Sequence, residues 1–341
     1  MTSETEGWAS GTSLLHTRDG GRTWLDVLPL SQRNTWTALG AGQAWAATTA
    51  PDERQILVHR TADSGKTWET TPVPLPAGMA PGASPVSISF ADAAHGWLMI
   101  EPMRSMNSHP GYLYATADGG KTWKPAASTD DTLPVGGLIR LEPGRPDEGW
   151  LVGNQVSTTP KDLYRTTDGG RTWERQELKL PPNRLEPGQI DYDLPVISPE
   201  GREGLLTAAW VPDSGAAAAY ATLLFRTSDG GTTWDHLGAY LPPGVVGTYD
   251  GAQAWVWIGI PREPGSTTIV SGSWSVKSAP WSVGKAMEPD ATLVTALEEG
   301  WNITALQFVT YSAGWALLTK QGDDPRLLQT KDAGQTWTRV N

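Results

Sequence analysis

The chain has 341 residues, among them 18 Trp and 8 Tyr, and Gly plus Pro make up 19% of it. The absence of Cys excludes disulfides, thiolate metal ligands and a cysteine nucleophile, and no apolar run approaches the roughly 18 residues that span a bilayer. A net charge of −11 argues against nucleic-acid binding through phosphate neutralisation and fits a chain that meets a basic partner or cations.

Read in chain order, the same elements return. Gly7-Trp8 opens the first unit, followed by the apolar pair Leu14-Leu15, an octapeptide from Thr17 to Trp24, and Leu28-Pro29. The second has Ala44-Trp45, Val58-His59 and Thr61 to Trp68; the third has Val86 to Phe90, Gly96-Trp97, Leu113-Tyr114 and Thr116 to Trp123. Gly149-Trp150, Leu163-Tyr164, Thr166 to Trp173 and Leu180-Pro181-Pro182 make a fourth, and Leu224-Phe225 with Thr227 to Trp234 marks a fifth. After Ala254-Trp255 the pattern degenerates: if Trp274 ends an octapeptide there, Ile269 replaces its Asp and Ser271 its Gly. Ala305 to Phe308, Gly314-Trp315, Leu327-Leu328 and Thr330 to Trp337 complete the series.

The octapeptide is Thr-x-Asp-x-Gly-x-Thr-Trp, with aspartates Asp19, Asp63, Asp118, Asp168, Asp229 and Asp332 spaced 44, 55, 50, 61 and 103 apart. The doubled last step implies seven units of about 52 residues. Adjacent apolar residues on a strand point to opposite faces, so each pair marks a strand buried on both sides. Four short strands per unit with no helical period of ten residues or more predict an all-β fold, a seven-bladed β-propeller of four-stranded antiparallel blades. One domain covers residues 1–341, and its sixth blade carries the degenerate turn. A six-bladed ring with an insertion there is the alternative. Phe90 and Phe308 each stand seven residues before the Trp of their unit, and counting back seven from Trp8 reaches Met1. The first blade is therefore expected to lack its innermost strand. On this reading the chain is trimmed upstream, any export signal lies in the removed part, and the protein is extracytoplasmic or secreted.

On these octapeptides the chain resembles the aspartate-box, or bacterial neuraminidase, repeat family. Its Gly-Trp strands are similar to those of photosystem II assembly and stability factor-like propellers. The resemblance runs from Gly7 to Trp337 and implies a propeller fold. For activity it implies less, because the same box occurs in sialidases, other glycosidases, sorting receptors and non-enzymatic scaffolds.

The box reads as a structural turn. Asp before a Gly-rich step forms a hairpin whose carboxylate accepts backbone N–H groups, and the invariant Gly of position 5 is expected at positive φ. Six equivalent carboxylates around a ring do not make the single asymmetric constellation an enzyme needs. One Asp among glycines also supplies too few of the 6–8 oxygens of a calcium site. No metal or cofactor is expected; the histidines show no HxxxH or HxH spacing. Twelve of the 18 Trp recur at repeat positions and are assigned to packing between blades. Of the other six, Trp210 and Trp301 are the preferred surface aromatics.

Ligands of propellers usually meet the face opposite the box turns. The candidate binding residues there are Arg54, Arg104, Trp210, Arg262, Glu263, Glu298, Glu299, Trp301 and Arg326, with no catalytic residue assigned. A non-enzymatic, assembly-factor-like monomer, presenting these loops to a protein or carbohydrate partner, is the leading expectation. The competing expectation is a sialidase-type glycosidase. It would need paired carboxylates or a Tyr nucleophile, plus arginines clamping the substrate carboxylate. Arg54, Arg104, Arg262 and Arg326 are the available arginines, but the Arg-Ile-Pro signature of that family is absent near the start, and Ile260-Pro261-Arg262 has the wrong order and lies late in the chain.

Overall fold

The computed structural model describes residues 1–40, 42–76, 79–102, 110–153, 162–178, 188–213, 221–240, 244–248, 253–258, 270–275, 286–287 and 290–340. The first sheet holds β1 (Gly7–Ser10), β2 (Ser13–Thr17) and β3 (Leu25–Pro29). The second holds β4 (Asn34–Leu39), β5 (Gln43–Thr49), β6 (Ile56–Thr61) and β7 (Glu69–Val73). In the third are β8 (Ser84–Phe90), β9 (Gly96–Glu101), β10 (Tyr112–Thr116) and β11 (Lys124–Ser128). The fourth comprises β12 (Gly137–Glu142), β13 (Arg145–Gly153), β14 (Leu163–Thr166) and β15 (Glu174–Arg175). A five-stranded sheet follows, with β16 (Gly188–Tyr192), β17 (Val196–Ile197), β18 (Gly204–Pro212), β19 (Ala221–Thr227) and β20 (Asp235–Tyr240). Next come β21 (Gly244–Thr248), β22 (Gln253–Ile258), β23 (Val270–Ser275) and β24 (Ala286–Met287). The last sheet is β25 (Asn302–Phe308), β26 (Gly314–Thr319), β27 (Arg326–Thr330) and β28 (Thr338–Arg339), preceded by the helix α1 (Ala291–Glu298).

All pairing is antiparallel and, apart from β16 with β18, between neighbours in sequence, as short hairpin connections dictate. This is an all-β propeller of small sheets with six blades rather than the seven expected, the seventh expected unit being present as a sheet of three strands. The difference lies in the three-stranded first sheet, where Thr2 and Ser3 fold back on the carbonyl of Glu6 instead of forming a strand. The degenerate unit nevertheless pairs its four strands. Its turn residue Ile269 lies outside the described residues, and so do the side chains of Ser271 and Trp274. The helix was not expected. Its eight residues fall below the period sought, yet Asp290 caps its N-terminus by accepting from the Thr292 N–H at 2.8 Å. Leu293 and Ala296, three apart, face inward.

The repeated Trp residues join one blade to the next. The Trp8 ring lies 6.4 Å from Trp68, Trp97 lies 5.8 Å from Trp173, and Trp150 lies 5.9 Å from Trp234, each pair crossing between successive sheets. Such tilted and edge-on contacts suit aromatic quadrupoles. Trp45 Nε1 donates to the box carbonyl of Gly119 in the following blade at 2.9 Å. Trp315 makes the same bond, 3.1 Å, to Gly20. That contact closes the last sheet onto the first.

Blade four differs. Trp150 Nε1 donates to the buried Glu142 Oε1 at 2.6 Å, while Arg145 stands 3.3 Å from Oε2. Burial pushes the Glu142 carboxyl up, against the Trp150 bond and the Arg145 charge. Trp150→Phe therefore leaves a buried acceptor without its donor, and should cost about 2 kcal/mol at pH 7. Because the folded pKa lies above the unfolded value, the penalty for burying the charge fades as pH falls toward about 4. Denaturant unfolding at pH 7 and at pH 4.5 should show the deficit shrinking; an equal deficit at both would refute the assignment.

Candidate functional site

The six boxes share one geometry. In the third blade, Thr116 Oγ1 donates to Asp118 Oδ1 at 2.8 Å and accepts from the Gly120 N–H at 2.9 Å. Thr122 donates to the same carboxylate twice, from N–H to Oδ1 at 2.9 Å and from Oγ1 to Oδ2 at 2.7 Å. Asp19, Asp63, Asp168, Asp229 and Asp332 repeat these bonds with Thr23, Thr67, Thr172, Thr233 and Thr336. Their carboxyls are held low. The Thr hydroxyl leads at Asp19 and Asp168 and the Thr67 N–H leads at Asp63, each giving a pKa of about 2. At Asp118, Asp229 and Asp332 partial burial pushes upward, but the Thr bonds outweigh it and Asp118 also falls to about 2. A carboxylate so occupied is a poor base and a poor cation ligand. These groups build turns.

Position 5 has positive φ in all six boxes, from 78° at Gly65 to 92° at Gly21. Position 4 does too, which the sequence reading missed because Ser64 and Ala333 adopt φ of 62° and 60° there. The stricter requirement at position 5 comes from the neighbouring blade. A Cβ at Gly65 would lie 2.7 Å from Val27 Cβ, and one at Gly231 would run into the Trp150 ring.

The residues assigned to the opposite face are divided among the blades. Arg54 is exposed in the β5–β6 connection, with its N–H bonded to Asp52 Oδ1 at 3.0 Å. Among the described residues, no ion pair or hydrogen bond joins it to Arg326. Arg104, Arg262 and Glu263 lie outside the described residues. Trp210 is not a surface aromatic: it is 7% exposed on β18, packed with Ala221 and Leu223. Trp301 is likewise buried, at 4%, beneath Leu293 and Ala296 of α1 and beside Ile303 and Leu328. Trp210 belongs to a core cluster with Ile190 and Tyr192 of β16 packed against it, and Trp301 is covered by the helix. The Asp290 cap ahead of Leu293, Ala296 and Leu297 is the signal that could have warned of the second.

At the last blade the structure does bring predicted residues together. Arg326 pairs with Glu299 Oε2 at 3.0 Å, and its guanidinium lies 4.0 Å from the Trp301 ring centroid. The stacked cation closes over the indole. Glu298 and Glu299 are exposed at the end of α1 and Lys320 Nζ lies 5.9 Å from the same ring centroid, leaving a corner of mixed charge. Among the described residues, no cluster of three or more His, Asp or Glu could hold a metal ion. No helix among them is long and apolar enough to cross a membrane.

The BNR/Asp-box repeat family matches residues 164–175, one of the six octapeptides with its flanks. A xyloglucanase of Paenibacillus sp. is 24% identical over 98% of this chain, which spans only 28% of that protein. Among solved structures, YCF48 bound to a D1 peptide superposes with a TM-score of 0.53 at 18% identity, over 92% of this chain and 83% of that one. A PL25 ulvan lyase gives 0.51 at 11% identity, over 89% and 81%. These likenesses show the fold, an Asp-box β-propeller.

Proposed function

We propose that the protein is a non-enzymatic scaffold, in which the three-stranded sheet acts as a seventh, incomplete unit of the ring and the face opposite the boxes receives a protein partner. The observation that supports it is the use of the repeated carboxylates. Asp19, Asp63, Asp118, Asp168, Asp229 and Asp332 are each consumed by their own Thr residues and backbone. The reactive side chains the sequence repeats most often thus serve to hold a rigid disc. Its distinctive surface is the Glu298-Glu299 corner, with Glu299 anchored by Arg326 over Trp301. A basic partner segment suits the exposed glutamates and the net charge of −11, and the fold relative with a bound peptide agrees with such a role.

The second reading, a glycoside hydrolase, is favoured by the xyloglucanase relative. One comparison separates the two. Partners captured from the source organism by the wild-type chain should be lost from a Glu298→Lys/Glu299→Lys double variant that melts at the same temperature. Equal recovery of every partner would remove that corner as the contact surface. Turnover of xyloglucan or of a fluorogenic sialoside by the purified protein would overturn the scaffold reading itself.

A further inference from the structure

The outer strands of the last blade reverse a charge pairing found in blade four. There Tyr164 of β14 is paired with Arg175 of β15, and Arg175 Nη2 donates to Asp162, two residues before Tyr164, at 2.7 Å. In the last blade Leu328 of β27 is paired with Arg339 of β28 in the same way. Counted from the box Thr, Thr166 in one blade and Thr330 in the other, Arg339 holds the place of Arg175 and Arg326 holds the place of Asp162. Where blade four sets an acid against an arginine, the last blade sets two arginines.

Cross-strand partners point to the same side of a sheet, and so do residues two apart on one strand. Arg326, Leu328 and Arg339 therefore share the face that α1 covers, where Leu328 packs in one cluster with Leu293 and Ala296. Between helix and strands lies a cavity of about 330 Å³, lined by Thr292, Thr295 and Ala296 of α1 and by Arg326, Leu328 and Arg339. No Asp or Glu lines it. Thr292, Thr295 and Arg339 are exposed at its mouth, while Ala296 and Leu328 are buried and give it an apolar floor. Arg326 is fixed from outside, by Glu299 at 3.0 Å and by the Trp301 ring 4.0 Å from its guanidinium. The Thr292 N–H is already bonded to the Asp290 cap, so attraction for an anion comes from the arginines and not from the helix end.

We propose that this cavity binds a small organic phosphate, its oxyanion between Arg326 and Arg339 and its body against Ala296 and Leu328. A dianion there takes the place that Asp162 fills in blade four and relieves the repulsion of two like charges. Each guanidinium offers a planar fork of donors that matches phosphate oxygens, and the hydroxyls of Thr292 and Thr295 can donate to the same ligand. The volume falls at the low end of the roughly 300–1,000 Å³ of small-molecule sites, which suits an ester with a compact body better than a bare ion. The site stands apart from the protein partner proposed above, and either reading can fail alone.

Isothermal titration of the whole chain with phenyl phosphate, at pH 7 and low salt, tests the proposal. Saturable one-to-one binding is expected, with Tm rising as ligand is added, and inorganic phosphate should bind at least about threefold more weakly. Arg339→Gln should weaken the ester at least about tenfold. Arg339→Asp, which restores opposite charges in the reverse order to blade four, should abolish binding. Both variants alter an exposed residue of a short outer strand and should leave the fold intact. Thr295→Trp, placed on the exposed side of α1, should block the mouth, and Arg54→Gln, in another blade, should bind as wild type does. Absence of saturation up to about 10 mM ester, or binding unchanged in Arg339→Asp or in Thr295→Trp, would overturn the proposal. Inorganic phosphate bound as tightly as the ester would overturn the organic ligand and leave an ion site.

Discussion

Gly231→Ala is expected to destabilise the protein by about 3 kcal/mol, far more than the same change one turn position earlier in another box. Two costs coincide at Gly231. Its φ of 85° places any Cβ in the left-handed region, worth roughly 1–2 kcal/mol for an L-residue. The new methyl would also meet Trp150, with Cζ2 only 2.6 Å away, and overpacking of a filled core adds about 1–3 kcal/mol. Trp150 is 1% exposed and stacked edge-on with Trp234, so it cannot swing aside without opening the joint between two blades. Gly169 has φ of 77°, but its Cβ would come no nearer than 3.3 Å to the Asp147 carboxylate. Gly169→Ala should cost only about 1 kcal/mol, as Ala333 at the equivalent position already suggests. Denaturant titration of the two variants measures the difference. Equal losses would mean that left-handed strain alone, and not the neighbouring blade, keeps position 5 glycine.

The same contrast explains what the sequence made legible. A repeat seen six times averages away local accident, so Thr116, Asp118, Gly120 and Thr122 could be assigned to a turn from their recurrence, and the hydrogen bonds are those a hairpin of that composition should make. The packing of the repeated Trp residues between blades followed from the same recurrence, and the structure pairs Gly-Trp with box Trp there. Residues outside the repeat had no such support. Trp210 and Trp301 were read as surface residues because no other unit shared their positions, yet an aromatic off the repeat is as easily buried by a local device. For Trp301 that device is an eight-residue helix that, among the described residues, occurs in the last unit alone. The number of blades came out one too high because the repeat counts boxes, and a box requires only the outer strands of a blade. The first sheet has its box at Asp19 and lacks the strand furthest from it in pairing order. The candidate binding residues were least legible: most lie in connections that differ from blade to blade, so nothing in their spacing says which of them meet. Arg326 and Glu299, 27 residues apart, met because α1 returns the chain over the edge of the last blade.

The collective consequence of the boxes should appear in acid. Four of the six aspartates have pKa values of about 2, and those of Asp229 and Asp332 are also lowered, against roughly 3.9 in an unfolded chain. A depressed folded pKa gives stability that is fully present above the unfolded value and is lost as pH falls through the folded one. Between about pH 4 and pH 2 the unfolded chain therefore binds protons that the folded chain refuses, up to about one per box. Tm is expected to stay nearly level from pH 7 to about 5 and then fall steeply toward pH 2. Glu142 works in the opposite direction, because its raised pKa relieves a buried charge as acid is added, but it is one group against six. Asp118→Asn keeps an acceptor for the Thr122 N–H and removes the charge, so it should lower Tm at pH 7 while flattening the acid slope by about one proton. Calorimetric scans at steps from pH 5 to pH 2 give both quantities. If Tm holds level to pH 2, or the Asn variant keeps the full slope, the carboxylates are bystanders in their turns, and the ring is held by its Trp contacts alone.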